Sequence, residues 1–374
     1  MQNPEHFDLI VVGAGIVGLA HAYTAARRGL RVCVVERDAA CVGASIRNFG
    51  FITVTGQGAG DTWRRARRAR EVWGEVAPKA GVPAVHHGLW LTAFRPKALA
   101  VLEEFMTTPM AEGCALLDVG DATSRAPALQ LQGAQGVLYS PHEMRVESRT
   151  AIGQLTRWLV EAMGVTFRFS EAVLEVATPR VRTARATLSA ERVAVCTNTD
   201  LNGLFAERLT PHQLRLCQLH MLRVQPEASF VLPGSVMADL SLVRYHGYSK
   251  LPAATALRTQ LEAEEGESLA HGIHLIVVQS ADGSLVVGDS HHYGPVLEPF
   301  ADQRVDELIL QHLRATLKLK EARVTERWVG TYPSSASTDC LIDRPDDATR
   351  LVLVTSGTGA STAFGIAEEV FANW

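Results

Sequence analysis

The stretch Asp8-Leu9-Ile10-Val11-Val12-Gly13-Ala14-Gly15-Ile16-Val17-Gly18 decides how the chain is read. Its apolar, β-branched opening predicts a buried strand, and the strand empties directly into a glycine turn. Ile16 to Arg28 then predicts a helix with a close-packing face of small residues. Gly29 stops it, and Arg31-Val32-Cys33-Val34-Val35 predicts a second buried strand. Each glycine has a mechanical task in such a unit: Gly13 permits the tight turn, Gly15 lets backbone approach a pyrophosphate, and Gly18 lets the helix pack on the strand. The helix N-terminus faces the negative charge. Glu36 closes the second strand where a carboxylate accepts hydrogen bonds from ribose hydroxyls, and an acid there argues against a 2'-phosphorylated adenosine. The motif alone is weak; in the order strand, turn, helix, strand, acid it reads as a dinucleotide-binding βαβ unit.

A chain of 374 residues buries a sizeable core and has room for two domains. A net charge of -4 gives no reason to expect nucleic acid, and the basic stretch Arg64 to Arg70 reads as the solvated face of a helix over Asp61 to Ala77. Six scattered cysteines without a CxxC pair indicate neither disulfides nor zinc. With no secretory pattern and no apolar run of membrane-spanning length, a cytoplasmic protein is expected.

After Glu36, Gly43-Ala44-Ser45-Ile46-Arg47-Asn48-Phe49-Gly50 combines small residues with donors, as suits a loop passing a flat cofactor. Strands are expected at Gly88 to Ala93, Gly136 to Tyr139, Val165 to Phe169, Ala172 to Val176 and Arg192 to Cys196, with helices at Pro96 to Met106 and Val146 to Met163. Val173 is placed to offer its backbone to an adenine edge. From Arg215 to Val324 the pattern alternates, with strands at Gln218 to Val224, Val236 to Tyr248, Gly272 to Val278 and Leu285 to Asp289 forming a sheet that roofs a pocket. Arg304 to Leu317 reads as a helix. Adjacent His291 and His292 point to opposite faces of a strand, and no Cys or acid set completes a metal site, so no metal is expected. Glu326 to Pro333 is read as a strand delivering Arg327 and Tyr332 to the pocket. Near the C-terminus, a buried strand at Arg350 to Thr355 ends in Ser356-Gly357-Thr358-Gly359-Ala360-Ser361-Thr362, a second glycine-rich helix start suited to the far half of a long dinucleotide.

The opening GAGIVG with Glu36, the Gly-Ala-Ser at 43 to 45 and the closing glycine loop together resemble the D-amino acid oxidase-like FAD-dependent oxidoreductases, the glycine and sarcosine oxidase type, over essentially the whole chain. Ser45-Ile46-Arg47-Asn48-Phe49-Gly50 resembles a narrower subgroup associated with aminophosphonate breakdown. The resemblance implies an α/β fold: a Rossmann-type FAD-binding domain (residues 1–84, 143–214 and 325–374) interleaved with an antiparallel-sheet α+β substrate domain (residues 85–142 and 215–324). It implies that Gly13, Gly15, Ile16, Val17, Gly18, Glu36 and Arg37 hold the AMP and pyrophosphate portion of FAD. Ala44, Ser45 and Asn48, with Gly359, Ala360, Ser361 and Thr362, would lie toward the flavin, and Val173 would meet adenine. Sarcosine oxidases anchor flavin covalently through a Cys-Met-Tyr segment; Gly330-Thr331-Tyr332 stands in its place, so noncovalent FAD is expected.

The implied reaction is hydride transfer from a neutral amine to flavin, followed by imine hydrolysis, with oxygen or another acceptor reoxidising the flavin. The expected substrate is 2-aminoethylphosphonate or an N-alkyl derivative. Arg47, His291, His292, Tyr332, Arg327 and Tyr245 are the candidates for orienting its anionic end, with Arg145 behind them. An oxidase or dehydrogenase of a D-amino acid or N-methyl amino acid, and a non-enzymatic or RNA-modification-related FAD-binding protein, remain as alternatives. Oligomeric state is left open.

Overall fold

The structure, a computed structural model, describes residues 4–374. Glu5–Val12 is the centre of the first sheet. It pairs in parallel with Val32–Val35 on one side and Thr187–Val195 on the other. Thr166–Arg168 continues the sheet beyond Val32–Val35, and Thr349–Val354 continues it beyond Thr187–Val195, both in parallel. Cys340–Asp343 closes the edge antiparallel. Phe7, Leu9, Ile10 and Val11 are all buried, as expected of a parallel strand covered on both faces. Helices Ile16–Ala26, Asp61–Lys79, Ser148–Met163 and Gly359–Ala372 supply one covering layer. The antiparallel pair Val173–Ala177 and Arg180–Thr183 extends from Thr187–Val195 and contributes to the other.

The second sheet is mixed and largely antiparallel, running from Phe51–Ile52 through Gly136–Val146, Ala84–Ala93, Ser235–Met237, Ile276–Gln279 and Leu285–Gly288 to Arg215–Pro226. The fold is therefore the expected α/β architecture of a Rossmann-type unit interleaved with a second sheet domain.

Sheet membership differs from the expected division in three places. Phe51–Ile52 pairs with Gly136–Val146 and so belongs to the second sheet. Gly136–Val146 runs across the boundary placed at 142/143 without interruption. Ala322–Ser334 pairs with Arg215–Pro226 from Ala322 to Ser334, so the chain returns to the first sheet only at Cys340. The proposed strand from Val236 to Tyr248 is also wrong: it ends at Met237, and Asp239–Val243 and His246–Ser249 are short helical turns. Helix Ala253–Glu264 was not anticipated.

Helix Asp61–Lys79 lies directly across Gly359–Ala372. A Cβ on Gly365 would stand 2.5 Å from the Arg65 carbonyl oxygen, so the crossing requires glycine there. The basic stretch is less solvated than its composition suggests. Arg65 makes two 2.7 Å hydrogen bonds to Glu369, and Arg68 binds Glu368 at 2.6 and 2.9 Å. Below these pairs, buried Trp73 meets Phe364 edge-on at 5.3 Å and donates its indole N–H to the Ala360 carbonyl at 2.9 Å.

Trp73 therefore fixes the start of the last helix by both packing and a hydrogen bond. Trp73→Ala should lower the unfolding free energy by about 3–5 kcal/mol, measured by urea denaturation of the apoprotein. A loss below about 1 kcal/mol would show that the helix is held by other contacts.

Candidate active site

A groove begins at the C-terminal ends of the parallel strands, where a ligand meets the sheet at its switch in strand order. Its outer part is lined by Gly13, Gly15, Glu36, Arg37, Ala44, Ser45, Val173 and the turn Cys196 to Asp200. Gly15, Ala44, Ser45, Cys196 and Asn198 also line the inner part, so the two parts are continuous.

The glycine turn is built for close approach. A Cβ on Gly18 would stand 1.9 Å from the Gly13 carbonyl oxygen, and one on Gly13, whose φ is +103°, would stand 2.6 Å from the Cys196 carbonyl oxygen. Gly15 is the N-cap of Ile16–Ala26 and supplies no side-chain cap. The free helix end is partly met by Ser45, whose hydroxyl oxygen accepts from Ile16 N–H at 2.9 Å. Glu36 accepts from Ala14 N–H at 2.8 Å and Asp38 N–H at 3.0 Å, which fixes its carboxylate beside the turn. Arg37 pairs with Asp200 at 3.3 Å across the rim.

The second glycine loop meets the same groove from the other side. Gly359, Ala360 and Ser361 line it at the N-terminus of Gly359–Ala372, again without a side-chain cap. The side chains behind these amides are occupied elsewhere: Ser361 Oγ accepts from Thr53 N–H at 3.0 Å, and Thr362 donates to the Thr358 carbonyl at 2.9 Å. Two uncapped helix ends, a glycine cradle that a Cβ would fill, and an acid at the ribose position fit an extended dinucleotide such as FAD.

Three cofactor assignments change in kind. Gly18 and Thr362 do not line the groove; Gly18 acts by letting helix and strand touch, and Thr362 closes its own turn. Asn48 lines the inner part, but its amide is engaged by the loop, donating to the Ala44 carbonyl at 2.8 Å and accepting from Gly50 N–H at 2.6 Å. It shapes the loop that carries Ala44 and Ser45.

Beyond the second glycine loop, the groove continues into a chamber under the second sheet. Arg47, Tyr245, His291 and Tyr332 line it, joined by Gln57, Arg244, His274, Asp289 and Tyr293. Arg244 donates toward the Tyr332 hydroxyl at 3.4 Å. Burial pushes the Tyr332, Tyr245 and Tyr293 phenols above their ordinary range, so all three remain neutral donors. Tyr245 packs edge-on against His274 at 5.4 Å, and His274 lies 5.1 Å from the His291 ring. Arg47 is exposed at the chamber wall and has no ion-pair partner among the described residues.

Arg327 and His292 do not reach the chamber. Arg327 binds Asp306 at 2.8 Å, and His220 stands 3.3 Å from the other oxygen of that carboxylate. His292 pairs with His271 at 3.0 Å and lies beside His220. Strand alternation explains both corrections. In Ala322–Ser334, residue 332 faces the chamber and 327 the opposite side; around His292–Gly294, residues 291 and 293 face it and 292 does not. Arg145 is fully buried beyond the chamber wall, bound to Glu147 and Ser280.

Gln57, Arg244, His274, Asp289 and Tyr293 were all absent from the sequence assignments, and two of them share a signal. His274 and Asp289 are polar residues flanking apolar strands, at Ile273-His274-Leu275-Ile276 and Val286-Val287-Gly288-Asp289. Pairing of Ile276 with Gly288 brings those two strand ends together. Only that register makes them neighbours.

The chain matches the family described as FAD dependent oxidoreductase over residues 8–373. No curated protein matches it by sequence. Among solved structures it is similar to L-proline dehydrogenase from P. horikoshii, with a TM-score of 0.79, 17% identity, and coverage of 98% of this chain and 93% of that one. Glycine oxidase from Geobacillus kaustophilus gives a TM-score of 0.76 at 16% identity, covering 99% and 94%. Iminodiacetate oxidase from Chelativorans sp. BNC1 gives 0.70 at 16% identity, covering 96% and 93%. A family match spanning nearly the whole chain, on a groove whose two glycine-lined helix ends fit the cofactor, places this chain in the FAD-dependent oxidoreductase family.

Proposed function

We propose that the chain is an FAD-dependent amine oxidoreductase whose substrate is a small amine with an anionic end, 2-aminoethylphosphonate or an N-alkyl derivative. The observation that carries this reading is Arg244, a guanidinium lining the chamber with the Tyr332 hydroxyl at 3.4 Å. A planar cation flanked by neutral phenols is suited to an oxyanion. Arg47 adds a second cation at the chamber wall. A phosphonate can use more donors than a carboxylate, and the Ser45 to Gly50 stretch supports the same end group by its resemblance. The carboxylate reading, a D-amino or N-methyl amino acid, draws on the named activities of glycine oxidase and iminodiacetate oxidase.

FAD, when bound, supplies the two-electron acceptor for the hydride leaving the carbon beside nitrogen. The protein's part is to orient the amine, exclude water and neutralise the anion. Arg244 does the last from inside the chamber, and the second sheet closes the site from above. The resulting imine hydrolyses, and oxygen or another acceptor takes the electrons.

Noncovalent attachment is supported at position 330. The segment that replaces Cys-Met-Tyr carries no thiol at this position, and a Cβ on Gly330 would make a tight 3.2 Å contact with the Arg47 carbonyl oxygen.

Anaerobic mixing of the holoenzyme with 2-aminoethylphosphonate, its N-methyl form, sarcosine, glycine and D-alanine should bleach the flavin fastest with a phosphonate. Selective bleaching by a carboxylate amine would replace the phosphonate while keeping the reaction. Acid precipitation should leave the flavin in the supernatant; yellow protein pellets would disprove noncovalent binding. Gly15→Val should reduce bound flavin per polypeptide at least about tenfold with circular dichroism unchanged, because the side chain would enter the phosphate-binding end. Arg244→Met should raise the KM of the preferred amine about 10- to 100-fold. The more exposed Arg47→Ala should raise it by less than about tenfold.

A further inference from the structure

Against the chamber wall sit three buried side chains for which anion binding has no use. His274, Asp289 and His291 offer ligand atoms that all lie within 4.8 Å of one another. His291 Nδ1 is 2.9 Å from the Gly272 carbonyl oxygen. A carbonyl only accepts, so Nδ1 carries the proton and Nε2 presents its lone pair. That Nε2 stands 3.8 Å from Asp289 Oδ2, acceptor facing acceptor. His274 Nε2 lies 2.9 Å from Asp289 Oδ1 but off the line of a full hydrogen bond, and His274 Nδ1 has no partner among the described residues. A buried carboxylate with only a misdirected imidazole beside it is under-satisfied, and a ligand carrying N–H groups would complete it.

Charge decides which ligand. Asp289 is faced by His291, His274, Arg244, Tyr245 and the Cys217 thiol; His291 is faced by Arg244, Asp289 and His274, with the Tyr293 and Tyr332 rings beside it. Burial alone would raise the Asp289 carboxyl, but its imidazole neighbours, the His274 hydrogen bond and the permanent charge of Arg244 hold it below the usual range, and with His291 neutral the last two remain. Burial and Arg244 keep His291 well below the usual imidazole range, so it is neutral at rest. Arg244 and Asp289 thus supply one positive and one negative charge. A divalent cation would bring two more positive charges to a single carboxylate beside a guanidinium. An amine with an anionic end instead brings a single positive charge, its ammonium, to Asp289 and sets its anion against Arg244.

We propose that Asp289 and His291 hold the ammonium end of the substrate, and that His291 Nε2 takes the proton which the ammonium must lose before the adjacent C–H bond breaks. This rests on the amine reading given above. In that step an N–H bond breaks, its electron pair stays on nitrogen, and an N–H bond forms at His291 Nε2; nothing is oxidised or reduced. The imidazolium is then held between the Gly272 carbonyl and the Asp289 carboxylate. Substrate itself assists, because an anion paired with Arg244 cancels part of the field that keeps His291 unprotonated. The proton acceptor becomes competent when both ends of the amine are seated.

The test uses holoenzyme and His291→Gln and Asp289→Asn variants, with flavin bleaching recorded anaerobically against pH at saturating 2-aminoethylphosphonate, and with sarcosine as the carboxylate counterpart. His291→Gln should slow bleaching about 100-fold or more at neutral pH, with the deficit closing as pH rises toward the pKa of the free amine. Asp289→Asn should weaken amine binding at least about tenfold. It should leave unchanged the binding of ethylphosphonate, the same anion without nitrogen, read from its perturbation of the flavin spectrum. A His291→Gln deficit of equal size at every pH, or parallel loss of ethylphosphonate binding in Asp289→Asn, would overturn the inference. So would inactivation by a chelator with recovery on adding zinc, which would assign the cluster to a metal. Wild-type flavin left unbleached by the whole amine panel would instead defeat the amine reading, and this inference with it.

Discussion

The arrangement depends on one contact that only a missing side chain permits: Gly18 lying on the carbonyl of Gly13, where a Cβ would come within 1.9 Å. That approach seats Ile16–Ala26 against Glu5–Val12 and leaves the helix end open at Gly15. An uncapped end with unsatisfied N–H groups is a liability in solution and an asset to a bound phosphate. Glu36 and Ser45 bind backbone at this turn and hold its geometry without filling the groove.

The second sheet turns a nucleotide groove into a closed site. Because Arg215–Pro226 pairs along Ala322–Ser334 on one side and with Leu285–Gly288 on the other, residues from four separated stretches of sequence meet over the inner end of the groove. A guanidinium and a carboxylate then share one chamber with neutral phenols between solvent and the protein interior. This distribution suits a small dipolar substrate better than a singly charged one. Among the described residues no helix is long and apolar enough to cross a membrane.

Legibility in the sequence followed locality. The Gly13 to Gly18 turn, Glu36 and the Ser356 to Thr362 loop were readable because each is a contiguous motif whose mechanics are local. Arg327 and His292 were misplaced because strand phase, which sends Tyr332 and His291 inward, sends their neighbours outward. His274 and Asp289 were invisible because their meeting depends on the register of Ile276 against Gly288. The division of the chain failed at Ala322–Ser334 for a related reason: its composition suits either sheet, and only its partner decides. The stretch after Met237 alternates like a strand, but Asp239 accepts from Phe94 N–H at 2.8 Å and pairs with Arg95 at 2.9 Å, which turns the backbone into a helical bend.

Tyr332 touches both halves of the site. A Cβ on Gly357 would lie 3.0 Å from its ring, while its hydroxyl meets Arg244. The second glycine loop and the chamber's buried guanidinium therefore meet at a single aromatic ring. Any shift of that loop would therefore be felt at Arg244 through one aromatic ring.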